Sequence, residues 1–146
     1  MKKIFFVFLL FISTKSFANS MISLEEYLNA NSKYIDSWQT SNYVFGRCAA
    51  VNLYLAGITQ NSPDKSIYNR AISLSKYFDE LNITLLEKKA KLDSKAIENN
   101  ILRNKASFSD NYAKDGQANY ARTGEYTTNS YIYGDIRLCG ELAKKK

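Results

Sequence analysis

Two cysteines, Cys48 and Cys139, lie on two different apolar stripes of helical spacing, and this pair constrains the fold most. Apolar residues spaced three and four apart share one face of a helix. The first stripe is Val44, Cys48, Val51, Leu55 and Ile58, and the second is Ile132, Ile136, Cys139 and Leu142. Both thiols therefore face the interior. The terminal helix is predicted to pack beside the helix that starts near Ser41.

Two cysteines in an oxidising compartment are expected to form one bridge. A Cys48–Cys139 bridge closes a loop of about 90 residues, which stabilises a fold by roughly 4–5 kcal/mol in the chain-entropy model. The alternative is two buried free thiols. The choice depends on the compartment in which the chain folds.

The first 18 residues have the organisation of a bacterial Sec signal peptide. Lys2 and Lys3 form a positive n-region, residues 4–12 form an unbroken apolar h-region, and Ser16-Phe17-Ala18 is typical of a cleavage site. Nine helical residues span about 14 Å, against about 30 Å of hydrocarbon, so a permanent anchor is the weaker interpretation. We expect cleavage after Ala18 and a periplasmic or secreted mature protein without stable membrane insertion.

The charge of the mature chain is small. The whole sequence carries +6, but three lysines lie within residues 1–18, and without them 17 basic residues face 14 acidic ones. Three of those 17 are Lys144–Lys146. The basic run from Lys88 to Lys105 is interleaved with acidic residues, as in a solvated helix face. We therefore expect no nucleic-acid partner.

The sequence predicts an all-α fold, a small bundle of four to five helices closed by one inter-helix disulfide. Residues 19–146 form one domain: an N-terminal arm over 19–40, a bundle over 41–142 and a basic tail over 143–146. In the arm, Ser23 and Glu26 have the spacing of a capping box and start a short helix. The residues expected to dock the arm are Tyr34, Ile35 and Trp38.

Further helix boundaries follow from turn residues. Ser62-Pro63 is predicted to start a helix with an apolar seam from Ile67 to Leu92. Asp115-Gly116 is predicted to stop a helix, and the last helix is expected to begin near residue 127 or 128. The sequence leaves open whether residues 63–115 form one bent helix or two.

The residue content excludes several chemistries. With no histidine, the chain lacks the Ser-His-Asp and Cys-His nucleophilic systems. Two distant cysteines make neither a four-thiolate zinc site nor a CxxC redox motif. Neighbouring acids on a helix point about 100° apart and do not converge on one bond. We therefore expect no cofactor, no metal site and no catalytic residue, and the chain is interpreted as non-enzymatic.

Two groups of residues are candidates for a site. Arg47 precedes Cys48, and Asp135 lies one helical turn before Cys139, so Arg47 and Asp135 are predicted to form an ion pair beside the disulfide. Such a pair fixes helix register more readily than it does chemistry. The alternative is two unrelated surface charges.

The second group is aromatic. Of eleven tyrosines, Tyr126, Tyr131 and Tyr133 cluster near the last helix and are a candidate interaction surface. The alternative is that tyrosines cover the borders of a small core.

The leading functional hypothesis is a periplasmic protein that binds another protein or a small ligand. An inhibitor or immunity protein against an exported toxin and a chaperone-like protein are two specific forms of it. The alternatives are a carboxylate-dependent periplasmic hydrolase, which needs two acids in one pocket, and a structural envelope component, which an obligate homo-oligomer would support.

Overall fold

A computed structural model describes residues 21–144 and shows five α-helices and no β-strand over that range. The helices are α1 (Leu24–Ala30), α2 (Trp38–Thr59), α3 (Ser66–Leu85), α4 (Ser94–Thr123) and α5 (Tyr131–Leu142). A 3₁₀ turn over Ser32–Tyr34 follows α1, and a π-helical turn over Leu86–Ala90 follows α3. The all-α prediction is confirmed. The predicted signal peptide and residues 145–146 of the tail lie outside the described residues.

Helix α2 is the central element and contacts each of the other four helices. Residues 46–52 are all buried, so this part of α2 is enclosed on every side. Gly46, Ala49 and Ala50 make this possible, because small side chains let neighbouring helices approach closely. The members of the predicted α2 stripe are buried as far as Val51. Burial of α2 is not limited to that stripe, because residues on all its faces are buried between positions 46 and 52.

A disulfide joins Cys48 of α2 to Cys139 of α5, as the sequence predicted. The two Cα atoms are 5.5 Å apart, and both side chains are fully buried. The bridge connects positions 91 residues apart in the sequence. It fixes the C-terminal helix against the central one.

Residues 63–115 contain two helices rather than one bent helix. The π-helical turn after α3 ends at Lys91, whose φ of 54° lies in the left-handed region. Its N–H donates to the carbonyl of Leu86 and closes the turn. Asp93 then caps α4 by accepting a 2.9 Å hydrogen bond from the N–H of Ala96.

Helix α3 begins later than the Ser62-Pro63 pattern predicted. The carboxylate of Asp64 accepts hydrogen bonds from the N–H and the hydroxyl of Ser66, at 2.8 and 2.9 Å, and this turn delays the helix. These bonds also lower the pKa of Asp64. Ile67, the first member of the predicted seam, therefore lies in the first turn of α3, where it is 52% exposed.

Helix α4 continues through Gly116, where the sequence predicted a stop, and ends at Thr123, capped by Gly124, whose φ is 78°. Gly116 is buried because Tyr54 of α2 packs against it: a Cβ at position 116 would lie 1.9 Å from the Tyr54 hydroxyl oxygen. This glycine serves close helix approach rather than termination.

Asn119 near the end of α4 explains why α5 begins later than predicted. Its side-chain amide donates to the carbonyls of Glu125 and Thr128, at 2.7 and 3.0 Å. These bonds hold the segment after α4 as a loop, and α5 starts only at Tyr131.

The N-terminal arm docks through α1. Its predicted capping box is present: Ser23 Oγ accepts from the N–H of Glu26 at 3.1 Å, and the Glu26 carboxylate accepts from the N–H of Ser23 at 3.0 Å. Leu24 is fully buried, and Tyr27 and Leu28 pack against the core. The capping box fixes the start of α1, so that Leu24 in its first turn points into the core.

Tyr34 and Ile35 do not dock the arm, and that expectation was wrong. Both side chains are exposed, because they follow the end of α1 on a surface turn. Trp38 is half-buried and is the first residue of α2, which starts at the Ser37 cap rather than near Ser41.

The contact between Gly116 and Tyr54 predicts unequal effects at two helical glycines. Gly116→Ala is expected to lower the free energy of unfolding by about 1–3 kcal/mol, because the new methyl group overlaps Tyr54. Gly57→Ala is the matched control: its Cβ meets no atom within 4 Å, so it is expected to stabilise by up to about 1 kcal/mol. Urea unfolding followed by circular dichroism measures both, and equal values for the two variants would contradict the packing.

Candidate functional site

Arg47 of α2, Tyr112 of α4 and Asp135 of α5 meet in the interior, and all three are fully buried. Arg47 Nη2 donates to Oδ2 of Asp135, and Arg47 Nε donates to the Tyr112 hydroxyl at 3.0 Å. That hydroxyl in turn donates to Oδ2 of Asp135 at 2.6 Å. The structure thus brings the two charges singled out in the sequence into one buried ion pair, with Tyr112 as a third member that the sequence did not reveal.

The same cluster holds the N-terminal arm. Arg47 Nη1 donates to the carbonyl of Ile22, and the N–H of Leu24 donates to Oδ1 of Asp135, both at 2.7 Å. One group of side chains therefore satisfies polar groups from the arm, α2, α4 and α5. We refer to Arg47, Tyr112 and Asp135 as the buried cluster.

The pKa values in the buried cluster follow from burial and from these contacts. Burial raises the pKa of Asp135, while Arg47, the N–H of Leu24 and the hydroxyl of Tyr112 act to lower it. Burial also raises the pKa of Tyr112, so its hydroxyl keeps its proton and acts as a donor. For Arg47, burial acts to lower the pKa, but Tyr112 and Asp135 outweigh that effect and raise it. Because the cluster is fully buried, its position suits a part in fixing helix register better than contact with a substrate.

Three tyrosine rings surround the Arg47 guanidinium. The ring centroids of Tyr43, Tyr112 and Tyr131 lie 5.7, 5.5 and 5.9 Å from its Cζ atom, within the range of cation–π attraction. Tyr131 also donates a 2.6 Å hydrogen bond to the carboxylate of Asp115, and burial and this bond raise the pKa of its hydroxyl. This tyrosine is therefore part of the interior packing.

The three tyrosines of the candidate surface line three separate hollows. Tyr126 stacks on Tyr120 with centroids 4.4 Å apart and lines a hollow beside Tyr54. Tyr133 is 59% exposed, whereas Tyr131 is half-buried. Residues two apart on a helix point about 200° apart, so Tyr131 and Tyr133 face in nearly opposite directions.

A groove of about 330 Å³ lies between α2, α3 and α5, and sequence reasoning missed it. Its apolar lining is Leu55, Ala71, Leu74, Ile136 and Gly140. Ile67 and Tyr133 lie along the same groove and expose more than half of their surface. The periodicity that assigned Ile67 to the core does not show where a neighbouring helix stops covering the stripe. We call this feature the α3–α5 groove.

The α3–α5 groove is bordered by basic side chains. The basic lining residues are Arg70 of α3, Arg137 of α5 and Lys144, which follows the end of α5. Glu141 is the one acid among the described lining residues. Lys144 pairs with Glu141 at 2.8 Å, whereas neither arginine forms an ion pair within residues 21–144. The lining therefore carries a net charge of +2. This is a local excess of positive charge, because residues 19–143 together are nearly neutral.

Two carboxylates share a different hollow, of about 410 Å³, between α1 and α5. Glu25 and Glu141 line it together with Arg137. Both carboxylates are exposed, and Glu141 pairs with Lys144. A carboxylate-dependent hydrolase needs two acids that enclose the reacting bond, which two exposed side chains do not provide. This hollow therefore gives little support to the hydrolase alternative.

Within residues 21–144, no group of three or more cysteine, aspartate or glutamate side chains is placed to hold a metal ion. In the same range, none of the helices is long and apolar enough to cross a bilayer. No protein-family model matches the chain, and neither a curated protein nor a solved structure is significantly similar to it.

Single replacements in the buried cluster are expected to lower the free energy of unfolding far more than a replacement at a partly exposed ion pair. Arg47→Met is expected to lower the free energy of unfolding by about 3–5 kcal/mol, because it leaves Asp135 buried without its charge partner. Lys105→Met breaks the partly exposed pair with Asp79 and is expected to cost less than about 1 kcal/mol. Urea unfolding with the disulfide intact measures both.

Asp135→Asn adds a milder variant that retains the shape of the side chain. The double variant with Arg47→Met is expected to lose less stability than the sum of the two single losses, because it removes both buried charges together. Additive losses, or equal losses for Arg47→Met and Lys105→Met, would contradict a coupled pair.

Proposed function

We propose that the chain is an exported, non-enzymatic binding protein that holds a segment of another polypeptide in the α3–α5 groove. The observation that carries this proposal is the apolar lining of the groove, with Ile67 and Tyr133 exposed along it. Tyrosine offers a large apolar face with one polar group and is enriched at binding sites. The buried cluster, in contrast, is sealed from any substrate.

The disulfide supports the export part of the proposal. A buried bridge between Cys48 and Cys139 is typical of proteins that fold in an oxidising compartment. The n-region, h-region and cleavage pattern of residues 1–18 favour the same route. We therefore propose a periplasmic or secreted location for residues 19–146.

The two helices that form the walls of the groove, α3 and α5, are both held against α2. Helix α5 is joined to α2 by the disulfide and by the Arg47–Asp135 pair, and α3 packs extensively on α2. A site with fixed walls loses little conformational entropy on binding. Promiscuous binding surfaces instead use flexible, methionine-rich linings, and this chain has two methionines. Within the proposed class, an inhibitor or immunity protein with one partner fits better than a chaperone-like protein.

Export predicts a defined covalent form. When the full chain is produced in a host with a competent periplasm, the intact mass is expected to equal residues 19–146 less two hydrogens, with no uptake of a thiol-alkylating reagent. Reduction before alkylation serves as the positive control and is expected to add two labels. An uncleaved chain, or two labels without reduction, would contradict export with bridge formation.

Binding is tested with the oxidised mature protein and helix-stapled peptides of about 12 residues that share one leucine face. The peptides differ in their polar positions, which are all glutamate, all glutamine or all lysine. At least one peptide is expected to shift the backbone amide signals of the groove residues at a single saturable site. Gly140→Phe is expected to abolish the shifts, because its side chain would fill the groove without meeting the core.

Gly134→Phe is the matched control. Its Cβ also meets no atom within 4 Å, but Gly134 lines the hollow that contains Glu25. If no peptide shifts the groove signals, or if Gly134→Phe and Gly140→Phe act alike, the proposed function is wrong. Sedimentation of the unbound protein tests the structural alternative, for which an obligate oligomer is expected.

A further inference from the structure

We infer that the occupant of the α3–α5 groove is an acidic amphipathic helix of about three turns, presented by a partner protein. This inference rests on the proposed function, because it takes the groove as the binding face. It adds the shape and the charge of the partner. Both follow from the residues that line the groove.

The length of the groove fits a short helix. On α5 its lining runs from Tyr133 to Glu141, which corresponds to about 12 Å at the helical rise of 1.5 Å per residue, and Lys144 lies just beyond the end of that helix. On α3 the lining runs from Ile67 to Leu74, about 10 Å. Three turns of helix span about 16 Å, so a helix of this length would follow the whole α5 wall and reach Lys144 beyond its end.

The small residues of the lining fit the cross-section of a helix. Ala71 lies on the α3 side, and Gly140 lies on the α5 side, with no atom within 4 Å of where its Cβ would be. Small residues at a contact let a helix axis come close. Apolar side chains from the partner would then reach Leu55 and Ile136. An apolar face laid into a groove with anchors three and four residues apart is a common mode of peptide recognition.

The charge of the walls selects an acidic partner. Arg70 lies on α3 and Arg137 on α5, so a helix in the groove would have one guanidinium on each side. Neither forms an ion pair within the described part of the chain. A guanidinium suits a carboxylate because it donates two parallel hydrogen bonds. Carboxylates on both sides of the partner's apolar face would therefore pair with Arg70 on one wall and Arg137 on the other.

Two other occupants fit these observations less well. A second copy of this chain in a symmetric dimer would place the same basic groove against itself, and like charges would face each other. A bilayer surface is broad compared with a groove whose helical walls are about 10–12 Å long by the helical rise.

The affinities of the glutamate, glutamine and lysine peptides are compared by fluorescence anisotropy at low and high salt, with the oxidised mature protein. The glutamate peptide is expected to bind more tightly than the glutamine peptide by about tenfold, with a smaller difference at high salt. The double variant Arg70→Glu/Arg137→Glu is expected to reverse the order in favour of the lysine peptide. Lys95→Glu/Arg103→Glu, a double charge reversal on α4, is the matched control and is expected to leave the order unchanged.

The outcomes separate this inference from the proposed function. If the three peptides bind equally and Gly140→Phe abolishes all of them, the groove is a binding site but its preference for acid is wrong. If none binds, both the inference and the proposed function are wrong. The inference is also overturned if the unbound protein dimerises and Gly140→Phe dissociates it, or if vesicles of anionic lipid bind in an Arg70- and Arg137-dependent way while the glutamate peptide does not.

Discussion

The buried pair of Arg47 and Asp135 is the interaction on which the arrangement of this bundle depends. Charges taken out of water are costly unless every donor and acceptor finds a partner. Each guanidinium nitrogen of Arg47 and each carboxylate oxygen of Asp135 has a hydrogen-bond partner, because Tyr112 of α4 and the backbone at Ile22 and Leu24 add to the pair itself. Any shift of α5 along α2 would separate these partners. The cluster therefore selects one register among the many that an apolar stripe alone would accept.

The disulfide and the buried cluster act on the same two helices by different means. The bridge limits how far α2 and α5 can separate, also in the unfolded chain, whereas the cluster distinguishes one relative placement from its neighbours in the folded state. Together they leave α5 well fixed at positions 135 and 139, which face the core. The opposite side of the same helix is free to line the α3–α5 groove. Stability and the proposed binding thus use different faces of α5.

Much of the fold could be predicted from local sequence, and much of the site could not. The stripes through Cys48 and Cys139 and the cap at Ser23 depend on near neighbours, so spacing was sufficient to find them. Gly116 was misread because its reason is Tyr54, about 60 residues away in the sequence and invisible to a local pattern. The α3–α5 groove was missed for the same kind of reason: a period places a residue on a face, but the extent to which that face is covered depends on the ends of other helices.

The partners of Arg47 have a consequence for the order in which the fold can form. The Ile22 carbonyl is 25 residues before Arg47, but Asp135 is 88 residues after it. A chain that emerges from its N-terminus lacks the Asp135 carboxylate, the ion-pair partner of this guanidinium, until position 135 is available. Enclosing residues 46–52 before then would bury an unpaired charge, so we expect the central helix to reach its final surroundings late. Helix α5, which emerges after the other four, carries the carboxylate that allows Arg47 and the surrounding part of α2 to be buried.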